Sequence, residues 1–155
     1  MTINFADGST IAAGTGLGFI KQIQINQKTG KFATTSTSFT DVTGFDCSIT
    51  PSSSSNKILV ITSANFGAGG SGIDNFARIL RGDGTNLYSN NQSIRMPSAY
   101  INTTFVSIIL DSPNTTSSTN YKYQVKASSN EVFLNRGGSN VTRGQSTIML
   151  LEVEP

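Results

Sequence analysis

The chain reads as one all-β domain, an antiparallel β-sandwich of jelly-roll-like type with about nine or ten strands and an extended N-terminal arm. Three observations predict this. Short runs alternate apolar with polar residues, turn residues separate them at short intervals, and no segment shows a sustained helical period with caps. At 155 residues the chain has the size of a single domain. Its composition is compatible with folding: charged residues make up only 13% and the net charge is +2, while Ser, Thr and Asn take the place of the missing charge.

Residues 1–18 carry four glycines and scattered apolar side chains, which predicts an arm ahead of a sandwich at residues 19–155. Ile3, Phe5 and Ile11 would be uncovered apolar groups on a single chain. They are therefore the candidates for docking onto a neighbouring subunit or a larger assembly, the alternative being a disordered terminus. In the sandwich, Ile23 and Ile25 alternate with Gln22 and Gln24, and Lys28–Lys31 reads as a turn into a second strand near Phe32. Phe45, Cys47 and Ile49 form the next alternation. The unbroken run Ile58–Ile61 predicts a central strand covered on both faces. Phe76–Arg81 reads as another strand; Ile73–Leu80, the only helix-compatible piece, follows a glycine-rich loop and is equally good as a strand. Phe105–Leu110 is a second strongly apolar run, Tyr121, Tyr123, Val125 and Ala127 give the clearest one-face-buried strand, and Val132–Leu134 and Thr147–Val153 close the domain.

Nothing in this sequence assembles catalytic, cofactor-binding or metal-binding chemistry. Histidine is absent, which removes the commonest general base and metal ligand. The nine acidic residues stand mostly singly in turns, where Asp bonds its own backbone. Gly67–Gly72 matches the G-x-G-x-x-G spacing, but no βαβ unit surrounds it, so it reads as a loop between strands. Arg81-Gly82-Asp83 is the tripeptide that integrins read on loop tips, and Asp83-Gly84 makes it a hairpin turn first. The single Cys47 has apolar neighbours and reads as a buried thiol. Eleven cations against nine anions, with no basic run, speak against a nucleic-acid partner. No stretch has the length of a membrane helix and the start lacks a signal-peptide pattern, so the expectation is synthesis in a cytoplasm without membrane insertion.

What remains is a set of polar loops. Amide and hydroxyl groups suit neutral polar ligands such as glycans, and Tyr88, Arg95, Tyr100, Arg136 and Arg143 are the loop side chains able to stack or to meet an anionic group.

Ser36-Thr37-Ser38-Phe39-Thr40-Asp41-Val42-Thr43-Gly44, continuing through Ser48-Ile49-Thr50-Pro51 to Asn56-Lys57-Ile58-Leu59-Val60, resembles a pattern in β-rich virion proteins of tailed phages, especially marine and cyanobacterial ones. Leu110-Asp111-Ser112-Pro113 leading to Tyr121–Val125, the closing Ser146–Val153 and the opening Met1–Ser9 are similar to the same group. The resemblance implies a module of the virion surface, tail-fibre-like or a capsid decoration protein. It implies a homotrimer that contacts other virion proteins and, through its loops, a host surface glycan. It carries no catalytic or receptor residues.

Overall fold

The computed structural model describes residues 2–4, 10–12, 20–88 and 92–155. The strands in chain order are β1 (Thr2–Asn4), β2 (Thr10–Ala12), β3 (Ile20–Lys28), β4 (Phe32–Thr34), β5 (Thr40–Ile49) and β6 (Lys57–Ala68). They continue with β7 (Ile73–Arg81), β8 (Gln92–Met96), β9 (Asn102–Asp111), β10 (Thr119–Ala127), β11 (Val132–Leu134) and β12 (Ser146–Val153). All pairings are antiparallel. β5, β10, β7 and β8 form one sheet, and the other is built on β6. This is the all-β, jelly-roll-like sandwich the sequence predicts, with ten strands in residues 20–155. Ahead of the sandwich, β1 and β2 pair antiparallel with Ile3 opposite Ile11.

The six strands of the second sheet fill only four ranks. β9 runs along one side of β6. On the other side β12 covers Lys57–Ser63 and β11 covers Phe66–Ala68, so these two strands lie end to end. Beyond them, β3 and β4 lie end to end as well. Residues 28–31 therefore do not reverse the chain, contrary to the turn read from the sequence; they are a jog within one edge line. The cause is the gap between β11 and β12, which Asn135 and Ser146 fill. Asn135 Nδ2 donates to the carbonyls of Lys28 (2.8 Å) and Gly30 (3.2 Å), and Ser146 Oγ donates to Asn135 Oδ1 at 2.8 Å. The Asn65 amide donates in turn to Ser146 Oγ at 3.0 Å. Residues 136–145 are extruded from this gap as a compact loop with its ends touching.

The core lies between the sheets. β10 alternates as expected, with Tyr121, Tyr123, Val125 and Ala127 inside, and Phe45 meets Tyr123 at a ring distance of 4.8 Å. Cys47 is buried among them, and burial raises the pKa of its thiol. Ile73–Leu80 is strand, not helix, because β7 sits between β10 and β8 and its alternate residues Ala77 and Ile79 enter the core. β6 departs from its sequence reading. Ile58 and Val60 are fully buried, but Leu59 and Ile61 on the opposite face are only partly covered. The strand is central in hydrogen bonding, yet over Leu59 and Ile61 its outer face has no covering layer among the described residues.

Candidate functional site

The two outer faces of the sandwich differ in chemistry. On the four-stranded sheet, Lys122 pairs with Asp41 at 3.1 Å, Arg78 donates to Gln124, and Lys126 lies over the rings of Phe39 and Phe76. Hydrogen bonds from Gln124, and the charge and bond of Lys122, outweigh desolvation and hold the Asp41 carboxyl below its ordinary range. That face is solvated and charged.

The outer face of the six-stranded sheet is apolar. The register sets Ile108, Ile61, Met149 and Ile25 side by side across β9, β6, β12 and β3. In the next row stand Leu110, Leu59, Leu151 and Ile23, and Val106 and Ile20 extend the surface at its two ends. Ile108 is 67% exposed, Val106 55%, Leu110 54% and Ile25 54%. The two full rows contain no charged side chain. Together these residues form one continuous apolar surface, six of them 40–67% exposed, of the kind that marks an interaction site.

At one end of the same face a second layer does exist. Phe133 on β11 is fully buried but stands apart from the main core cluster. It fits because Gly67 opposite it has no side chain; a Cβ there would overlap the ring. Tyr100 stacks on Phe133 with ring centroids 6.2 Å apart and planes 13° apart, and the Arg136 guanidinium lies 4.5 Å from the ring centroid. Gly67→Val is accordingly expected to cost about 1–3 kcal/mol by overpacking, measured as a lower urea midpoint with unchanged slope.

This lid borders an open depression of about 400 Å³ lined by Asn65, Tyr100, Ile101, Asn102, Gly137, Arg143 and Gly144. Tyr100 is half exposed and adopts φ +60, a strained region for an aromatic residue, held by its amide bond to the Ala68 carbonyl at 2.8 Å. Arg143 is exposed and crosses Gly137, whose missing side chain makes the room. Two of the five loop residues singled out by sequence, Tyr100 and Arg143, thus share one concavity with two amide side chains. Arg136 stands beside it as a support: it pairs with both carboxylate oxygens of Glu131 while covering Phe133.

Tyr88 and Arg95 lie elsewhere. The Tyr88 hydroxyl donates to Ser107 Oγ, the ring packs on the core, and burial pushes its pKa up against the effect of that bond. Arg95 is exposed and sits 3.5 Å from Asp74. Phe5 lies outside the described residues, as do the side chains of Ile3 and Ile11. Within the Arg81-Gly82-Asp83 tripeptide the arginine is already engaged: Arg81 contacts both Asp111 oxygens at 2.9 and 3.0 Å and also pairs with the exposed Asp83 at 3.0 Å. Tyr121 donates to the same Asp111 at 2.8 Å.

Sequence reading missed the apolar face as a site. The signal was present in Ile58–Ile61, Phe105–Leu110 and Ile148–Leu151, whose residues are apolar on both sides of the strand. Of these, the sequence reading takes Ile58–Ile61 as a core strand and leaves the other two runs without an assigned partner.

No family model and no curated protein matches the chain. Among solved structures, the VP2 subviral particle of infectious bursal disease virus is similar at a TM-score of 0.52 and 12% identity, over 87% of this chain and 33% of that one. The insecticidal delta-endotoxin Cry8Ea1 of Bacillus thuringiensis gives 0.47 and 16%, over 80% of this chain and 20% of the toxin. The chain thus spans about a third of the viral protein and a fifth of the toxin. The first likeness is one of fold.

Proposed function

We propose that this chain is a structural protein on the surface of a virion, a non-catalytic tail-fibre-type module of a tailed phage of the marine and cyanobacterial kind. The observation that carries the reading is the continuous, exposed apolar face on a sandwich whose other outer face is charged, the mark of a subunit built to be covered by protein. The jelly-roll-like fold it shares with a viral particle protein supports the reading. The chain works as a homotrimer, its arm (Ile3, Phe5, Ile11) docks on other virion proteins, and its loop end meets the host.

Antibody labelling of intact particles tests this. Signal at the tail is expected, and absence of signal from both tail and head would remove the virion role. Signal over the whole head would instead establish the second reading, a capsid decoration or cement protein, which the fold of the viral neighbour favours.

The depression holding Tyr100 and Arg143 is the part fitted to a host glycan, with a ring for stacking, amides for hydroxyls and a cation for an acidic sugar. Arg143→Ala is expected to slow host adsorption several-fold without changing the melting temperature, because Arg143 makes no ion pair among the described residues. Unchanged adsorption counts against the glycan contact. Arg136→Ala is the wrong probe, since it would release Glu131 and uncover Phe133.

A further inference from the structure

We propose that three copies of this chain pack the outer faces of their six-stranded sheets against one another around a common axis running along the strands. The inference rests on the reading of the chain as an assembled subunit and supplies the surface and geometry of that assembly.

The first argument is that the apolar surface is continuous: its rows reach across all four ranks from β9 to β3, and six of its residues are 40–67% exposed on the single chain, the kind of patch that marks an interaction surface. The second is sequence: strands apolar on both sides belong where both faces are covered. β6, β9 and β12 have that pattern, and one chain covers only one face of each. The third is charge. A different partner chosen by electrostatic complementarity would meet charges, and the two full rows of Ile, Leu and Met carry none. An apolar sheet face is matched by another such face, and a second copy supplies one without further requirement.

Three copies, and not two, follow from the edges. β3 and β9 bracket the face, and among the described residues neither has a backbone partner on its outer side. From Asn102 to Leu110 β9 carries no charge, the usual protection of an exposed edge. Two faces stacked as a pair would bury the apolar rows and leave all four edges bare. Around a three-fold axis, β3 of each copy comes beside β9 of the next. The two strands are antiparallel within one sheet, and rotation about an axis along the strands preserves that sense. The width also fits. Four ranks spaced about 4.8 Å apart make a wall of about 19 Å. A triangular prism of that side holds its walls about 5.5 Å from the axis, close to half the ~10 Å at which packed sheets fill the space between them.

Light scattering on the eluting purified chain tests this at tens of micromolar. The expected mass is three chains; one chain overturns self-association, and two chains overturn the three-fold. Ile108→Lys and Ile25→Lys should each raise the concentration for half-assembly roughly a hundredfold or more, because a lysine in the packed centre is an unpaired buried charge. Both side chains are more than half exposed in the single chain, so the variants keep their fold, checked by circular dichroism and melting of the dissociated form. Trimers that persist unchanged in both variants overturn the assignment of the face. Removal of residues 1–18 should leave the trimer intact; its loss would show that the arm, not the sheet face, holds the copies. Because these measurements use the isolated protein, a monomeric result would sink the inference and leave the particle labelling to decide the virion role separately.

Discussion

Glu152→Gln should lower the stability of the fold by about 3 kcal/mol near neutral pH, a loss of about 6–12 °C in melting temperature, and should lower it hardly at all near pH 2. Glu152 is fully buried on the inner side of β12. Its Oε1 accepts from the Ser52 amide at 2.6 Å, Ser52 Oγ at 2.7 Å and Asn56 Nδ2 at 2.6 Å, and its Oε2 accepts from Gln22 Nε2 at 2.6 Å. Burial alone would raise its pKa. The four hydrogen bonds outweigh burial and hold the carboxyl at about 2 against an ordinary 4.5. A carboxyl depressed in the folded state contributes stability that is fully present above about 4.5 and disappears as pH falls through about 2. Glutamine keeps the shape but turns an NH₂ group toward donors, so it removes that contribution at every pH. Urea midpoints of the two proteins should therefore diverge at neutral pH and converge in acid. A constant difference across the range would mean that the carboxylate is not the group that titrates. Other depressed carboxyls, Asp41 and Asp83, also make the wild type acid-sensitive, and taking the difference between the two proteins cancels them.

The strands were legible because their period is a local property. Tyr121, Tyr123, Val125 and Ala127 announce a buried face without knowledge of what lies opposite. Ile58–Ile61 was read correctly as apolar on both sides and wrongly as covered on both sides: pattern reports what a strand needs, not which molecule supplies it. The jog at residues 28–31 was illegible for another reason. A Lys-Thr-Gly-Lys turn and a jog in an edge strand look alike until Asn135, more than a hundred positions away, bonds to the carbonyls of Lys28 and Gly30. The loop residues show the same limit. Composition found Tyr88, Tyr100, Arg136 and Arg143 as side chains able to bind. Only tertiary structure shows that Ser107 engages Tyr88 and Glu131 engages Arg136, while Tyr100 and Arg143 face a common depression. Glu152 offered no signal at all, since one acid at the end of an apolar strand reads as a solvated terminus.

Asn135→Ala is expected to cost about 3–5 kcal/mol, for two separable reasons. Asn135 is fully buried with φ +55, a conformation that asparagine and glycine tolerate and alanine adopts at a cost of about 1–2 kcal/mol. Its side chain also closes the gap between β11 and β12: without it the Lys28 and Gly30 carbonyls lose their donor and the Ser146 hydroxyl loses its acceptor. Each buried polar group left without a partner costs about 1–3 kcal/mol. Asn135→Gly separates the two contributions. It relieves the backbone strain and keeps the amide bonds from Asn135 to Asn65 and from Arg143 to Asn135, but it still strands the three polar groups. The glycine variant should therefore be more stable than the alanine variant by about 1–2 kcal/mol and remain well below wild type. Because residues 136–145 spring from this gap, amide exchange there should accelerate in both variants more than in β10, whose ladder does not touch it. An alanine variant within about 0.5 kcal/mol of wild type would show that the two half-strands hold their register without the bridge. The loop that carries Arg143 would then be anchored by β11 and β12 alone.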